Sequence, residues 1–376
     1  MKAPAHLLSV DLVRVLTVGL VIGVHTVSQQ PGGTGLTSGA LLTVMHVSRE
    51  VFFLLTAFVL GYTYRDRVAP GWPAFWRRRY LLVGVPYLVW SAVYVVALGN
   101  GGRPGVLARA LVTGTAQYHL YFLLVSMQLY LVFPVLRRLV RSTEGRHGRL
   151  LAAAVAYQVA AYALVPRLPV APSPLLLTYL GFVVVGGIAA AHAETFLAWT
   201  RQHRRHVLLG TAIAAAAGVG WFTAQVAWLG RTTVAASEVF QPVVVVESFA
   251  VAWAFLALGL AWEDAGAPAR RWVRAAADAS FGVYLAHPLL LQGLLALGAA
   301  SGLTAAVAGL PGPVVTAVAV VVAVPLIYLT CAWSATSLRR TPLSLPLTGH
   351  PRRRHSGDVA LLPVSPGGLR CERQAA

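Results

Sequence analysis

Charged residues are scarce. Asp, Glu, Lys and Arg make up 11% of the 376 residues, where a soluble globular chain carries about 25%. The acids are the scarcest, 12 Asp and Glu against 30 Lys and Arg. Only two cysteines occur, Cys331 and Cys371, so no disulfide framework and no metal-ligand spacing is signalled. A cleavable signal peptide is not expected, because the first apolar block holds Asp11 and Arg14 and lacks a small-residue cleavage site. No internal repeat is visible, which weakens a carrier built from inverted repeats.

What is abundant is apolar. Hydrophobic residues are 57% of the chain and the mean hydropathy is +0.68. They come in blocks separated by short Pro/Gly/Arg-rich stretches. The blocks match the ~20 residues that cross a ~30 Å hydrocarbon core. Backbone groups in lipid need internal partners, so the blocks are helices. The expected fold is an all-α integral membrane protein of about ten spans: 8–27, 41–64, 80–98, 119–136, 150–165, 175–193, 207–229, 243–262, 281–299 and 313–333. Residues 1–335 then form the transmembrane domain, and 336–376 a basic tail whose Pro/Gly/Ser content predicts disorder.

Basic residues set the orientation. The loops after spans two, four, six and eight carry 16 arginines, and the loops after the odd spans carry 4. Even loops and both termini are therefore expected in the cytoplasm, in a cell membrane. The net charge of +18 points to the anionic leaflet of a bilayer rather than to nucleic acid.

Chemistry is carried by the few polar groups inside the blocks. Asp11, Arg14 and His25 fall on one stripe of the first span. Arg14 to His25 is eleven steps, about 20° beyond three turns and ~16 Å along the axis. Charges in lipid cost a few kcal/mol, so these groups should face the bundle interior or water. In the second span His46 and Glu50, at i and i+4, share a face, with Arg49 beside them. A local Arg49–Glu50 pair and a core histidine explain that span about as well. Arg77, Arg78 and Arg79 open the third span, as a topology anchor or as a clamp for phosphates. His119 and Tyr121 begin the fourth, with Gln128 and Tyr130 within it. Glu247 lies in the eighth, near enough to an end to snorkel. Tyr284 and His287, three apart, share a face in the ninth. No metal site is expected.

Several of these segments resemble, in order, the acyltransferase-3 family of integral-membrane O-acyltransferases. DLVRVLTVGLVIGVH resembles its opening motif, with ten residues between arginine and histidine. VFFLLTAFVLGY resembles its Phe-Phe-x-x-Ser-Gly segment, with Thr56 and Ala57 in place of Ser-Gly. AFWRRRYLLVGVPYLVW resembles its basic cluster leading to Pro-Tyr, with apolar Leu82 and Val83 where a further basic residue is common. YHLYFLLVSMQLYLVFPVL and SFGVYLAHPLLL resemble its His-Leu-aromatic-Phe and Tyr-Leu-x-His-Pro segments. The resemblance implies an enzyme that moves an acyl group, commonly acetyl, from acyl-CoA to a hydroxyl of a carbohydrate, cell-envelope component or secondary metabolite. It implies catalytic roles for Arg14 and His25, with Asp11 holding Arg14. It also implies donor binding by Arg77, Arg78 and Arg79. His46, Glu50, His119, Tyr284 and His287 are further candidates. The expected partners are the acyl-CoA co-substrate, a hydroxyl-bearing acceptor and the bilayer, with no bound cofactor. Two other readings use the same residues: a carrier or flippase with an intramembrane polar pathway, and an inactive family member.

Overall fold

A computed structural model of the chain describes residues 7–65, 71–99, 103–167, 169 and 171–352. Residues 353–376 of the expected tail, with Arg353 and Arg354, lie outside the described residues. The helices in order are α1 (Leu8–Ser28), α2 (Leu36–Met45), α3 (Ser48–Thr63), α4 (Trp72–Ala97), α5 (Pro104–Thr113), α6 (Tyr121–Ser142), α7 (His147–Leu164), α8 (Leu180–Ala191), α9 (Ala193–Gln202), α10 (Arg204–Ala227), α11 (Thr233–Ala236), α12 (Pro242–Asp264), α13 (Arg270–Ala300), α14 (Leu303–Ala308), α15 (Gly312–Val318), α16 (Val324–Leu338) and α17 (Ser344–Thr348). No strand occurs among the described residues.

Nine spans of this set are long and apolar enough to cross a bilayer, and a tenth arises if the bent α8–α9 region is one crossing. They follow the ten apolar blocks of the sequence in order. Two of them are interrupted. The second crossing, Leu36–Thr63, breaks at His46 and Val47 between α2 and α3. The sixth is a 16-residue piece, Leu176–Ala191, that turns by 91° into α9. At 1.5 Å per residue that piece rises only about 24 Å. Its irregular entry needs hydrogen-bond partners, and two glutamines inside neighbouring spans supply them. Gln128 donates to the Pro174 carbonyl at 2.7 Å and accepts from the Leu176 amide at 3.0 Å. Gln158 donates to the Thr178 carbonyl at 2.8 Å and accepts from the Gly181 amide at 3.0 Å.

Contacts gather the arginine-rich connections at one end of the bundle. Arg65, after α3, pairs with Glu194 of α9 at 2.9 Å, and Arg141 donates to the Arg65 carbonyl. His147 meets His192 at 2.7 Å. Arg201 reaches Glu263 and Asp264, and Arg204 also reaches Asp264. The connections after the second, fourth, sixth and eighth crossings thus touch one another. At the opposite end Gln29 donates to Tyr118, Thr316 to Gln30 and Thr233 to the Thr34 carbonyl.

The stretch 341–352, read from composition as part of an unstructured tail, is ordered. Helix α17 packs between α4 and α13, and Trp90 donates to the Leu347 carbonyl at 3.2 Å. The turn after it needs Gly349, which has φ +67°; a Cβ there would strike the Phe281 ring and the Leu82 carbonyl.

The closest helix pair is α3 against α8, and small residues permit it. A Cβ on Gly186 would meet the Leu54 carbonyl and lie 3.0 Å from the Ala57 methyl. One on Gly61 would lie 2.7 Å from the Ala190 methyl. Ala57 is fully buried there. Gly186→Val should therefore lower the thermal midpoint of the solubilised protein, because overpacking of this kind costs about 1–3 kcal/mol. Gly210→Ala, in open space on α10, should leave the midpoint unchanged or slightly raised. Equal midpoints for wild type and Gly186→Val would contradict the packing described.

Candidate active site

Two of the cavities in the bundle lie one above the other along α1. The first, of about 210 Å³, sits toward the arginine-rich end. Arg14, Arg79, Tyr130, Asp278, Ser280 and His350 are among the residues that line it, with Thr56 beside them. The second, of about 520 Å³, lies toward the opposite end and is lined by His25, His46, Arg49, His119, Gln29 and Tyr118, among others. Phe52, Phe122 and Tyr284 belong to both linings. These three rings form the partition between the cavities. Phe52 and Phe122 meet edge-to-face at 4.7 Å, and Phe122 lies 5.4 Å from Tyr284.

The stripe expected on α1 is present in part. Arg14 faces the first cavity and His25 the second, so the eleven helical steps between them, ~16 Å of helix, span the partition. Asp11 is buried and has interactions of its own, while Arg14 lines the first cavity. Residues three apart on a helix point about 60° away from each other, which is enough to turn Asp11 into the helix packing while Arg14 opens to the cavity.

The basic cluster divides for a similar reason. Consecutive helical residues point about 100° apart, so three in a row cannot share a face. Arg79 alone lines the first cavity, with its guanidinium 5.6 Å from the centres of both the Phe75 and Tyr130 rings. Arg77 and Arg78 are exposed.

Beside the second cavity, histidines from three crossings meet. His25 of α1 stacks on His287 of α13 at 5.4 Å, and His287 meets His119 edge-on at 5.4 Å. Tyr118 lies 4.3 Å from His25, and its hydroxyl accepts from Gln29. Burial pushes that hydroxyl up to about 12. Tyr284 donates to the backbone carbonyl of His119 and so ties α13 to the approach of α6. His287 places Nδ1 2.8 Å from the Tyr284 carbonyl. A carbonyl accepts only, so that nitrogen carries the proton and Nε2 is left with a lone pair. His287 is fully buried and its Nε2 has no partner among the described residues, as is true of both ring nitrogens of His119. Among the described residues no group of three or more His, Cys, Asp or Glu is arranged to hold a metal ion.

The second crossing departs from the shared face expected for His46 and Glu50. A two-residue turn at His46 and Val47 separates α2 from α3, so His46 and Glu50 do not sit on one continuous helix. His46 faces the cavity, whereas Glu50 is turned into the wall and fully buried. There Glu50 accepts from Arg49 Nε at 2.6 Å and from the Tyr162 hydroxyl at 2.5 Å. Glu247 is not a snorkeller. It is 1% exposed, lies against the bare Cα of Gly218 on α10, and has no partner for either oxygen among the described residues.

Two site residues went unrecognised in the sequence. His350, in the supposed tail, reaches the first cavity only because α17 folds back. Arg49 was read as a structural partner of Glu50, and it proves also to line the second cavity. Its position just before the apolar run of α3 was the available signal.

Two of the departures from the family's pattern have local explanations. Thr56, where the family commonly has serine, lines the first cavity. The extra methyl of Ala57 is accommodated opposite Gly186, which has no side chain.

A family model described as an acyltransferase domain, of the acyltransferase-3 type, matches residues 7–332. No curated protein and no solved structure matches the chain.

The wall behind the second cavity has a direct test. Removing one partner of a buried ion pair leaves an uncompensated charge and costs about 3–5 kcal/mol. Glu50→Ala should therefore sharply reduce the yield and thermal midpoint of folded protein. Tyr162→Phe, which loses only one hydrogen bond to the carboxylate, should lower the midpoint by much less. A Glu50→Ala protein as stable as wild type would remove the structural role assigned to the pair.

Proposed function

Because the chain belongs to the acyltransferase-3 family, we propose that this membrane acyltransferase moves an acyl group, most simply acetyl, from acyl-CoA to an acceptor hydroxyl. The observation that carries the reading is the placement of Arg14 and His25. One helix presents a guanidinium to the smaller cavity and an imidazole to the larger, on either side of a three-ring partition.

In this reading the arginine-rich end is cytoplasmic, in keeping with the bias of basic residues, and both chain termini lie on that side. The donor then enters from the side where acyl-CoA is made. Arg14 and Arg79 hold its phosphates, since guanidinium groups bind phosphate oxygens through paired N–H donors. The pantetheine arm extends along α1 past Phe52, Phe122 and Tyr284, and the ~16 Å of helix from Arg14 to His25 is of the order it must cover. The thioester reaches the second cavity, where the acceptor hydroxyl waits beside His25.

His25 takes the hydroxyl proton as the oxygen attacks the thioester carbonyl carbon. A neutral imidazole has a ring nitrogen lone pair free to accept a proton, which suits that task. When the tetrahedral intermediate collapses, the C–S bond breaks, the ester remains on the acceptor, and the proton held by His25 goes to the departing thiolate. His287 supports His25 by ring stacking, with its own tautomer set by the Tyr284 carbonyl. The acceptor class is a hydroxyl-bearing carbohydrate, envelope component or secondary metabolite, taken from the far side of the membrane.

A carrier would also use two cavities divided by a thin partition. The two readings differ in donor dependence: a carrier moves solute in vesicles without acyl-CoA, and an acyltransferase forms no product without it. Isolated membranes given labelled acetyl-CoA should transfer label to an endogenous acceptor. His25→Ala should lower that transfer by about 10²–10⁴-fold, the usual contribution of a general base, with the protein still inserted in the membrane. Full activity in His25→Ala would sink the mechanism. Arg79→Ala should raise the donor KM by about tenfold, as expected for loss of a charge-assisted phosphate contact. The exposed Arg77 and Arg78 should tolerate alanine with little change. Equal effects at all three positions would point to a general charge field instead of a donor contact.

A further inference from the structure

The larger cavity carries one fixed charge. Among its described lining residues there is no Asp or Glu, and the imidazoles, hydroxyls and amides that face it carry no permanent charge. Arg49 is the exception. Its guanidinium is gripped from behind: Nε donates to Glu50 at 2.6 Å, and the group lies over the Phe240 ring at 4.5 Å and near the Tyr179 ring at 5.4 Å. Glu50 is in turn fixed by Tyr162. The cation therefore cannot swing away from its place, yet it is not used up. Nη2 is buried and has no hydrogen-bond partner among the described residues. A planar guanidinium offers five N–H donors in a fixed fork, and one edge of this fork is spent on Glu50.

An unpaired N–H on a buried, positioned cation is costly unless something completes it. The Arg49–Glu50 pair is nearly neutral as a unit, but it is oriented, with the acid inside the wall and the base at the cavity surface. An anion in the cavity meets the positive end. Arg49 reaches this cavity from the second crossing and His25 from the first. The guanidinium and the imidazole that would take the proton therefore engage separate groups of one acceptor.

We infer that Arg49 binds an acidic substituent, carboxylate or phosphate, on the acceptor, so that the substrate class is an anionic hydroxyl compound of about sugar size. The inference rests on the acyltransferase reading for the word acceptor, while the anion site itself stands on the geometry of the cavity. The enclosed volume of about 520 Å³ is within the usual range of small-molecule pockets, about 300–1,000 Å³. Gln29 and Ser28 supply polar contacts for hydroxyls beyond those of the histidines.

The test uses full-length protein purified in detergent, with ligand affinity read from the concentration dependence of its thermal midpoint. Three matched probes are glucose, glucuronate and glucose 6-phosphate, at constant ionic strength. Coenzyme A is titrated separately. At least one anionic sugar should bind more tightly than glucose, and which one tells carboxylate from phosphate. The variant Arg49→Gln/Glu50→Gln removes both charges together, so neither is left stranded, and it should lose that advantage by about tenfold or more, as expected for a charge-assisted pair. Arg49→Lys, which keeps the charge and loses the fork, provides a second variant if the first folds poorly, and it should weaken anion binding without abolishing it. Coenzyme A binding should survive in both and fall in Arg79→Gln. The inference is overturned if neither anionic sugar outbinds glucose, or if the preference persists unchanged in the charge-free or lysine variant. Loss of coenzyme A binding in the wild type would instead overturn the acyltransferase reading and leave the anion site standing.

Discussion

A charge at mid-depth in a bilayer costs a few kcal/mol by insertion scales, and a helix broken there leaves backbone groups that lipid cannot satisfy. The way this chain meets both costs organises the rest of its structure. The outer faces of the crossings carry large exposed apolar side chains, among them Leu131, Val135, Ile213, Val321 and Leu329. Arg14, Arg79, His25, His46 and His119 turn inward onto cavities. The two interrupted crossings are buried among other helices, and glutamines from α6 and α7 complete the hydrogen bonds of the sixth. The enzyme's polar interior is therefore a result of the same solvent that makes its exterior apolar.

The spans were legible because apolar blocks of about 20 residues have few alternatives. The relation of Arg14 to His25 was legible because 100° per residue is arithmetic that holds within a single helix. Where that arithmetic met a break, it failed. His46 and Glu50 fall on either side of the α2–α3 turn, one on the cavity and one in the wall, and nothing in TVMHVSREV announces that turn without Pro or Gly. Arg77, Arg78 and Arg79 read as one cluster, yet only the helical phase says which of them turns inward. The tail from 341 to 352 read as loop because of its composition, and tertiary contact with Trp90 and Phe281 overrode that. The meeting of His25, His119 and His287 depends on three crossings far apart in sequence. Pattern alone could nominate each residue, and the resemblance to a family ordered them, but only packing brings the rings together.

The same comparison explains why Arg49 escaped notice. Sequence spacing favours the simplest partner, and Glu50 is adjacent. The pair does form, as expected. A guanidinium is large enough to do two things at once, with one edge on a carboxylate and another on a cavity, and adjacency says nothing about the second edge. Polar residues within spans should accordingly be counted by donor, as well as by residue.

The partition of Phe52, Phe122 and Tyr284 has a meaning apart from chemistry. A membrane is an insulator because of its thickness, and two polar cavities approaching each other from opposite ends remove much of that thickness along one line. What stays behind is a seal one ring deep. In a membrane that stores energy as an ion gradient, those three side chains work as electrical insulation. Their bulk and fit therefore answer to the cell's tolerance for leakage as much as to the passage of any substrate.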